Sequence, residues 1–476
     1  MWNMCWQLWR SLTERMRKKR TKGWIGVLLT AKKRAGACLL AGALLMMPAG
    51  CSTAQEPSEV QSILVEGQEL AWLRSMDRKY AEEFSIDYYE GGYAWITIAD
   101  SEHFLLVPEG GTVPDNPGKD VAVLKQPVEN IYLSASAVMD MFVSMDGMDR
   151  LRFSSLREDG WYIPEAKKAM ETGKLLYAGK YAAPDYERIL AEGCGLAIEN
   201  TMIYHAPQVK EQLERLGIPV LVDHSSYERE PLGRTEWIRL YGLLAGREKE
   251  AEAAFFAQAE AFEWVKAQVK ENGQGKKAQV AFFYITSNGE VNIRKPSDYL
   301  PRMIELAGGS YVFPGEDDGS RASAMTIQME EFYAQAKEAD YLIYNSTVDG
   351  ELQGLEDLLE KEGILKNFKA VEEGRVFCTT KDLYQSSMAL GTIIFDLHEM
   401  LEGREENLTY FYRLDSHGQQ AADDVHRVPL DRCFFGAGEP CSAGYTQRAP
   451  FNTCFFEAGH WEHSIWKIKH TGTGCF

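Results

Sequence analysis

The chain has 476 residues and a formal net charge of −19 at pH 7, from 51 Lys and Arg against 70 Asp and Glu. Residues 1–50 carry a charge of +9, so the 426 residues from Cys51 onward carry −28. This excess of negative charge excludes a general affinity for nucleic acid, which is itself a polyanion. The length is enough for two or three domains with hydrophobic cores of their own.

The N-terminal segment, residues 1–50, predicts a signal peptide. A 16-residue apolar stretch at 35–50 follows a basic run at 32–34 and ends at Cys51. Basic residues, a short apolar stretch and small residues before a cut site are typical of secretion signals, and the stretch is short for a transmembrane helix. The small residues before Cys51 resemble a lipobox, which implies cleavage there and lipidation of the Cys51 thiol. Pro48 departs from that pattern, so a plain signal peptide or a short membrane anchor remains an alternative.

After the signal, residues 51–82 are predicted to form a lipid anchor and tether, because they begin as a polar, helix-poor stretch. An α/β lobe is predicted over 83–231. Its first strands are predicted at 94–98, 103–107, 121–124 and 131–133. Short apolar strands then alternate with helices as far as a strand at 219–222, which is the pattern of βαβ units in a parallel sheet.

A helical region over 232–275 is predicted to join this lobe to a second α/β lobe over 276–414. Gly246 is expected to divide the region. Beyond it, residues 247–270 place apolar side chains on one face at spacings of three and four residues, which predicts a helix about 35 Å long. The second lobe runs from a strand at 279–285 to a closing helix at 387–402. The fold class is therefore α/β, with two Rossmann-like lobes joined by one long interlobe helix.

This order of elements resembles the iron-siderophore and vitamin B12 class of substrate-binding proteins of ABC importers. Three motifs carry the resemblance: Pro184-Asp-Tyr-Glu187, the Leu-Gly-Ile-Pro-Val stretch at 216–220, and the segment 232–237 before the long helix. Cys194-Gly195 departs from the family, which usually has Pro-Asp there. The resemblance covers about 83–414 and implies a class III periplasmic-binding-protein fold whose lobes close only slightly on a ligand.

The resemblance also implies a function and partners. The protein would be an extracytoplasmic monomer, lipid-anchored to the cell membrane, that passes an iron chelate (ferric siderophore or haem) or a corrinoid to an ABC permease without catalysis or a cofactor. In this family one Glu on each lobe pairs with arginines of the permease. Glu187 matches the first position, and Glu330 or Glu331 the second. Ordinary solvated carboxylates are the alternative for all three.

Ligands of doubly wound folds bind beyond the carboxyl ends of the strands, and this rule selects candidate ligand-binding residues. Aromatic rings could stack on a broad ligand, cations could neutralise an anionic chelate, and a histidine could reach an axial position of iron or cobalt. The candidates are Trp161, Tyr284 and Tyr384, then Arg294 and Lys381, then His224, with the polar residues Ser134, Ser136, Thr201, Ser225 and Asn345. Core aromatics, a surface salt bridge for Arg294 and a structural His224 are the alternatives.

Two other functions remain as alternatives. A bare transition-metal-ion binder of an ABC importer needs three or four converging His, Asp or Glu ligands, of which His224 and Glu228 supply two. A secreted α/β hydrolase would need a catalytic set, yet the sequence has no Gly-x-Ser-x-Gly elbow, Gly-rich phosphate loop or His-Glu-x-x-His motif.

The C-terminal residues 415–476 differ in composition from the rest of the chain. They hold five of the nine His and four of the nine Cys. A metal-binding appendage and a disulfide-bonded extension are two explanations, but the spacings fit no zinc motif. We favour out-of-frame or run-on sequence, and expect an atypical, poorly ordered tail.

Overall fold

The computed structural model describes residues 62–114, 116–118, 120–271, 275–313, 315 and 322–415. The predicted signal peptide, Cys51 and the tail from residue 416 lie outside these residues. Within the described residues, no helix is both long and apolar enough to cross a membrane.

Seven strands precede the parallel sheet of the first lobe. The first seven strands are β1 (Ile63–Val65), β2 (Gln68–Leu70), β3 (Trp72–Ser75), β4 (Phe84–Tyr89), β5 (Ala94–Ile98), β6 (Glu102–Val107) and β7 (Val121–Lys125). β1 and β2 form a hairpin, and β3 to β7 form a sheet in sequence order that is antiparallel except for the β6–β7 pair. The predicted tether at 51–82 therefore contains strands. The sheet buries Ile86, Ile96 and Leu106 in one core cluster with residues of the first lobe.

The first lobe is built on a parallel sheet, as the alternating pattern predicted. Its elements are β8 (Ile131–Leu133), α1 (Val138–Ser144), β9 (Leu151–Ser154), α2 (Pro164–Glu171), β10 (Leu176–Tyr177), β11 (Gly179–Lys180), β12 (Ala183–Pro184), α3 (Tyr186–Ala191), β13 (Ala197–Asn200), α4 (Pro207–Arg215) and β14 (Val220–Asp223). The strand order is β10-β9-β8-β13-β14. Since these strands run in one direction, the loops after their carboxyl ends lie along a single edge.

Three helices connect the lobes. They are α5 (Pro231–Glu236), α6 (Ile238–Ala245) and α7 (Glu248–Glu271). Gly246 ends α6 in the left-handed conformation, which confirms the predicted division. α7 has 24 residues and therefore spans about 36 Å.

The second lobe is mixed rather than purely parallel. Its elements are β15 (Gln279–Ile285), β16 (Val291–Arg294), α8 (Tyr299–Leu306), β17 (Ser310–Tyr311), β18 (Ala324–Ile327), α9 (Met329–Ala336), β19 (Tyr341–Tyr344), α10 (Ser346–Asp349), α11 (Leu355–Lys361), α12 (Lys369–Glu372), β20 (Val376–Thr379), α13 (Leu390–Leu401) and β21 (Phe411–Arg413). The strand order is β18-β16-β15-β19-β20-β21, and β17 also pairs with β15. β15 is parallel to β17 and β19, and β19 is parallel to β20. β16 returns beside β15 through a hairpin, so it is antiparallel.

The interlobe helix α7 packs into both lobes. It contributes Phe255 to the core of the first lobe and Phe262 to that of the second. Near its second-lobe end, α13 approaches so closely that a Cβ on Gly391 would lie 2.8 Å from the Cβ of Ala261. The Gly391 N–H donates to Oε1 of the buried Gln258 at 2.8 Å. A continuous helix held in two cores limits hinge motion between them, so the structure has the predicted α/β fold of two lobes joined by one long helix.

Candidate functional site

A polar cavity of about 420 Å³ lies between the two lobes. The first lobe and the segment before it line it with Glu82, Glu83 and residues 226–229, and the second lobe with Ser297, Asp298, Ala322 and Ser323. Residues 226–229 follow β14 and residues 297 and 298 follow β16, whereas Glu82 and Glu83 precede β4 and residues 322 and 323 precede β18. The lining residues are mainly charged and polar, whereas the sequence led us to expect a broad aromatic surface.

Three predicted residues meet next to Asp298, which lines this cavity on the second-lobe side. Arg294 donates from Nε and Nη2 to the two carboxylate oxygens of Asp298, at 2.9 and 2.7 Å. The Arg294 Cζ lies 5.6 Å from the centroid of the Tyr384 ring, and Asn345 Nδ2 donates to the Tyr384 hydroxyl at 3.1 Å. The Asp298 carboxylate is buried and also accepts the Leu300 N–H, which caps α8. Arg294 therefore belongs to a largely buried polar group rather than to a surface salt bridge.

A second arginine, Arg234 on α5, adjoins this group and was missed by the sequence analysis. Its Cζ lies 4.1 Å from the centroid of the buried Tyr299 ring, a cation–π contact. Burial raises the pKa of both Tyr299 and Tyr384, and the positive charges of Arg234 and Arg294 offset part of that rise. Within the described residues, Arg234 forms no ion pair. Its only sequence signal was the motif at 232–237, because Arg234 lies inside a helix and not at a strand end.

His224 is engaged through both ring nitrogens. Nδ1 lies 3.2 Å from Glu83 Oε2, and Nε2 lies 2.8 Å from the Tyr204 hydroxyl. The residue is buried, so neither nitrogen is available as an axial ligand, which corrects that expectation. Glu228, the partner considered for a bare metal ion, accepts hydrogen bonds from the Glu82 and Glu83 N–H groups and the Trp237 indole.

Trp161 also departs from its predicted role. Its ring is 1% exposed and its indole N–H donates to Ser154 Oγ at 3.1 Å. A buried ring offers no face to a ligand in this conformation, so Trp161 is a core residue. The next residue, Tyr162, is 44% exposed, so the accessible ring of this loop belongs to Tyr162 and not to the predicted Trp161.

The other candidates occupy the predicted strand ends without joining the arginine group. Ser134 and Ser225 are buried, and Ser225 donates to Asp223 at 2.6 Å. Ser136 and Thr201 are half-buried in the loops after β8 and β13. Tyr284 is half-buried against the core cluster that contains Phe283, and the Lys381 ammonium lies 3.9 Å from Glu351. Ligand contact by these residues stays a prediction.

Part of the chain matches a known protein family. Residues 159–383 match the family model described as periplasmic binding protein. This segment is a periplasmic binding protein domain. It spans part of the first lobe, all of α7 and most of the second lobe. Proteins of this family bind solutes outside the cytoplasm and are not enzymes.

Two relatives that each cover 71% of the chain have low sequence identity to it. A lipoprotein of Methanocaldococcus jannaschii is 23% identical over 373 residues, covering 71% of this chain and 86% of the relative. A second lipoprotein of that organism is 24% identical over 348 residues, with the same coverage of both chains. Among solved structures, a possible iron-binding (periplasmic solute-binding) protein from Staphylococcus epidermidis is 16% identical, with a TM-score of 0.46, and covers 58% of this chain and 99% of its own.

The predicted docking glutamates lie on different lobes of the periplasmic binding protein fold. Glu187 is exposed in the first turn of α3, and Glu330 is exposed in the first turn of α9. Among the described residues, neither forms an ion pair. Glu331 accepts a hydrogen bond from Gln335 Nε2 at 3.1 Å. Of the two second-lobe candidates, Glu330 is thus the less engaged.

Proposed function

We propose that the protein is the extracytoplasmic substrate-binding component of an ABC importer and captures an anionic iron chelate, such as a ferric siderophore or haem. The observation that carries this proposal is a pair of guanidinium groups, Arg234 and Arg294, each beside a tyrosine ring and close to Asp298, which lines the cavity. A corrinoid is a weaker candidate, because two guanidinium groups favour a ligand that carries negative charge.

The two guanidinium groups support an anionic ligand, although Glu82, Glu83, Glu228 and Asp298 place four carboxylates on the lining of the cavity. The chain carries a large negative charge, so an anion must be held by local groups. Asp298 occupies Nε and Nη2 of Arg294 and leaves Nη1 for another acceptor. Arg234 has no carboxylate partner among the described residues. A guanidinium that is partly shielded from water binds carboxylate or catecholate oxygens through strong charge-assisted hydrogen bonds, and the half-buried ring of Tyr384 suits the flat face of such a ligand.

The alternatives have less support. Within the described part of the chain, no group of three or more His, Cys, Asp or Glu is placed to hold a metal ion. His224 and Glu228, the start of such a set, are engaged by other residues. A hydrolase is disfavoured because the matched family consists of binding proteins.

A fluorescence titration tests the ligand class. Purified protein is titrated with a ferric tris-catecholate siderophore, haem and cobalamin, and quenching of the tryptophan fluorescence reports binding. We expect one of the two anionic ligands to bind and Arg234→Gln to weaken that binding at least tenfold, since a charge-assisted contact is lost. Arg404→Gln, which alters an exposed arginine paired with Glu399, is the matched control. Binding of cobalamin alone, or equal affinity of Arg234→Gln and wild type, would overturn the anionic-ligand proposal.

We further propose that Cys51 carries a lipid that holds the protein at the cell membrane. The two Methanocaldococcus jannaschii relatives are named lipoproteins, which supports this proposal. Replacement of the cysteine in Cys51→Ala should move the protein from the membrane fraction to the soluble fraction. Unchanged membrane association of Cys51→Ala would argue for anchoring by the apolar segment instead.

Delivery of the ligand would depend on one glutamate of each lobe that docks on the permease. Glu187 and Glu330 lie near the N-termini of α3 and α9 and have no ion-pair partner among the described residues, so both remain open to arginines of a permease. Charges on the rim of an interface act mainly on the rate and orientation of docking. We therefore assign docking to Glu187 and Glu330 and give Glu331 no part in it.

A further inference from the structure

The segment that leads from β20 into α13 makes direct hydrogen bonds to the first lobe. The Gln385 amide bonds twice to the loop after β9: Oε1 accepts the Tyr162 N–H at 2.9 Å, and Nε2 donates to the Gly160 carbonyl at 2.8 Å. Ser387 Oγ donates to the Ala137 carbonyl, after β8, at 2.6 Å. These contacts join residues separated by more than 200 positions in sequence, so they connect the two lobes independently of α7.

A fourth bond extends this contact. The Met388 N–H donates to Oδ2 of Asp140, in the first turn of α1, at 2.7 Å. Ser387 and Met388 are buried, so their bonds are shielded from competing water. The four bonds reach two different loops and one helix of the first lobe. Such an arrangement resists sliding of the lobes past each other as well as their separation.

The same segment is rigid and adjoins the proposed ligand site. The Gln385 and Ser386 N–H groups both donate to the Asp382 carbonyl, at 2.8 and 3.1 Å, which closes a tight turn around Tyr384. The Tyr384 hydroxyl is held by Asn345. A change in the position of Gln385 would therefore also move Tyr384, whose ring lies beside Arg294.

We propose that residues 385–388 form an interlobe clasp, in which Gln385 is a positioning residue that sets the width of the cleft and holds Tyr384 against the arginine group. Lobe separation requires the four bonds to break together, because they lie on one rigid turn. The clasp is a property of the protein without ligand, so it stands or falls separately from the proposed iron-chelate function.

Hydrogen–deuterium exchange, read by mass spectrometry on the ligand-free protein, tests the clasp. In Gln385→Ala, the Tyr162 amide loses its acceptor, and we expect about two- to tenfold faster exchange there, the factor for one hydrogen bond. The decisive site is the Met388 amide, whose own acceptor, Asp140, is unchanged. If the four bonds act together, its exchange also accelerates.

Two further variants make the result unambiguous. Ser387→Ala removes a different bond and should accelerate exchange at both Tyr162 and Met388. Gln335→Ala, which removes a glutamine bonded only to Glu331 within α9, should change neither amide. Faster exchange at Tyr162 alone in Gln385→Ala, with Met388 unaffected in both variants, would mean that the bonds are independent and would overturn the clasp.

Discussion

The buried carboxyl group of Glu199 should make the stability of the protein depend on pH. It lies in β13 with its side chain fully buried, and neither carboxylate oxygen has a hydrogen-bond partner in the structure. Burial raises the pKa of Glu199 from 4.5 to about 7, and the neighbouring Ser134 hydroxyl offsets part of that rise. The substitution Glu199→Gln keeps the shape of the side chain and removes its ability to ionise.

The direction and size of the effect follow from linkage. Between pH 4.5 and about 7 the folded protein holds a proton on Glu199 that the unfolded chain has released, so the free energy of unfolding falls as pH rises through this range. At 1.36 kcal/mol per pKa unit, the full effect is about 3 kcal/mol, and about 2.5 kcal/mol of it lies between pH 5 and pH 8. Glu199→Gln lacks this contribution. Its stability relative to wild type should therefore rise by that amount from pH 5 to pH 8.

Urea unfolding followed by tryptophan fluorescence at pH 5, 6, 7 and 8 measures the difference. Glu211→Gln, an exposed position on α4, controls for the loss of a surface carboxylate. A difference between Glu199→Gln and wild type that stays constant across these pH values would refute the argument, since it would mean that Glu199 does not change its protonation over this range.

Three further predictions concern other parts of the structure. Gly391→Leu should lower the free energy of unfolding by about 1–3 kcal/mol, because its side chain would strike α7. Thermal melts measure this change, and Gly363→Leu is the control, because a Cβ added at Gly363 would meet no other atom within 4 Å among the described residues. Asp298→Ala should lower the free energy of unfolding by about 3–5 kcal/mol, because Arg294 loses its ion-pair partner and α8 loses its N-cap. A decrease below about 1 kcal/mol would show that water replaces the pair. Glu330→Lys should abolish uptake of the bound ligand into permease-containing vesicles without changing the affinity of the protein for that ligand. Glu331→Lys should change neither the uptake nor the affinity. Equal uptake by both variants would contradict the docking assignment.

Local pattern and structure agree for the strands that form short apolar runs and for the long helix. Strands such as β8, β15 and β19 were predictable as continuous apolar runs because both of their faces are buried, and α7 because its apolar residues recur at spacings of three and four. β1 to β3 escaped prediction. Their sequences, such as Trp-Leu-Arg-Ser in β3, mix charged and apolar residues without a clear period, and they form strands because neighbouring strands satisfy their backbone groups.

Some residues of the candidate site could likewise be predicted from the sequence, and others could not. Strand ends can be located from sequence, and this rule found Arg294, Asn345 and Tyr384, which the fold brings into contact. It could not separate the buried Trp161 ring from the exposed Tyr162 beside it, because which of two adjacent side chains faces the core depends on packing by distant residues. Arg234 lay outside the rule altogether.

The amino-acid sequence by itself determined the alternation of helices and strands, the long helix between the lobes and the loops available to a ligand, since each depends on residues near one another in the chain. Only the tertiary structure decided which side chains of those loops meet, which charges remain unpaired and where the lobes are bonded together. Those outcomes depend on contacts between segments tens to hundreds of residues apart, and local periodicity carries no information about such contacts.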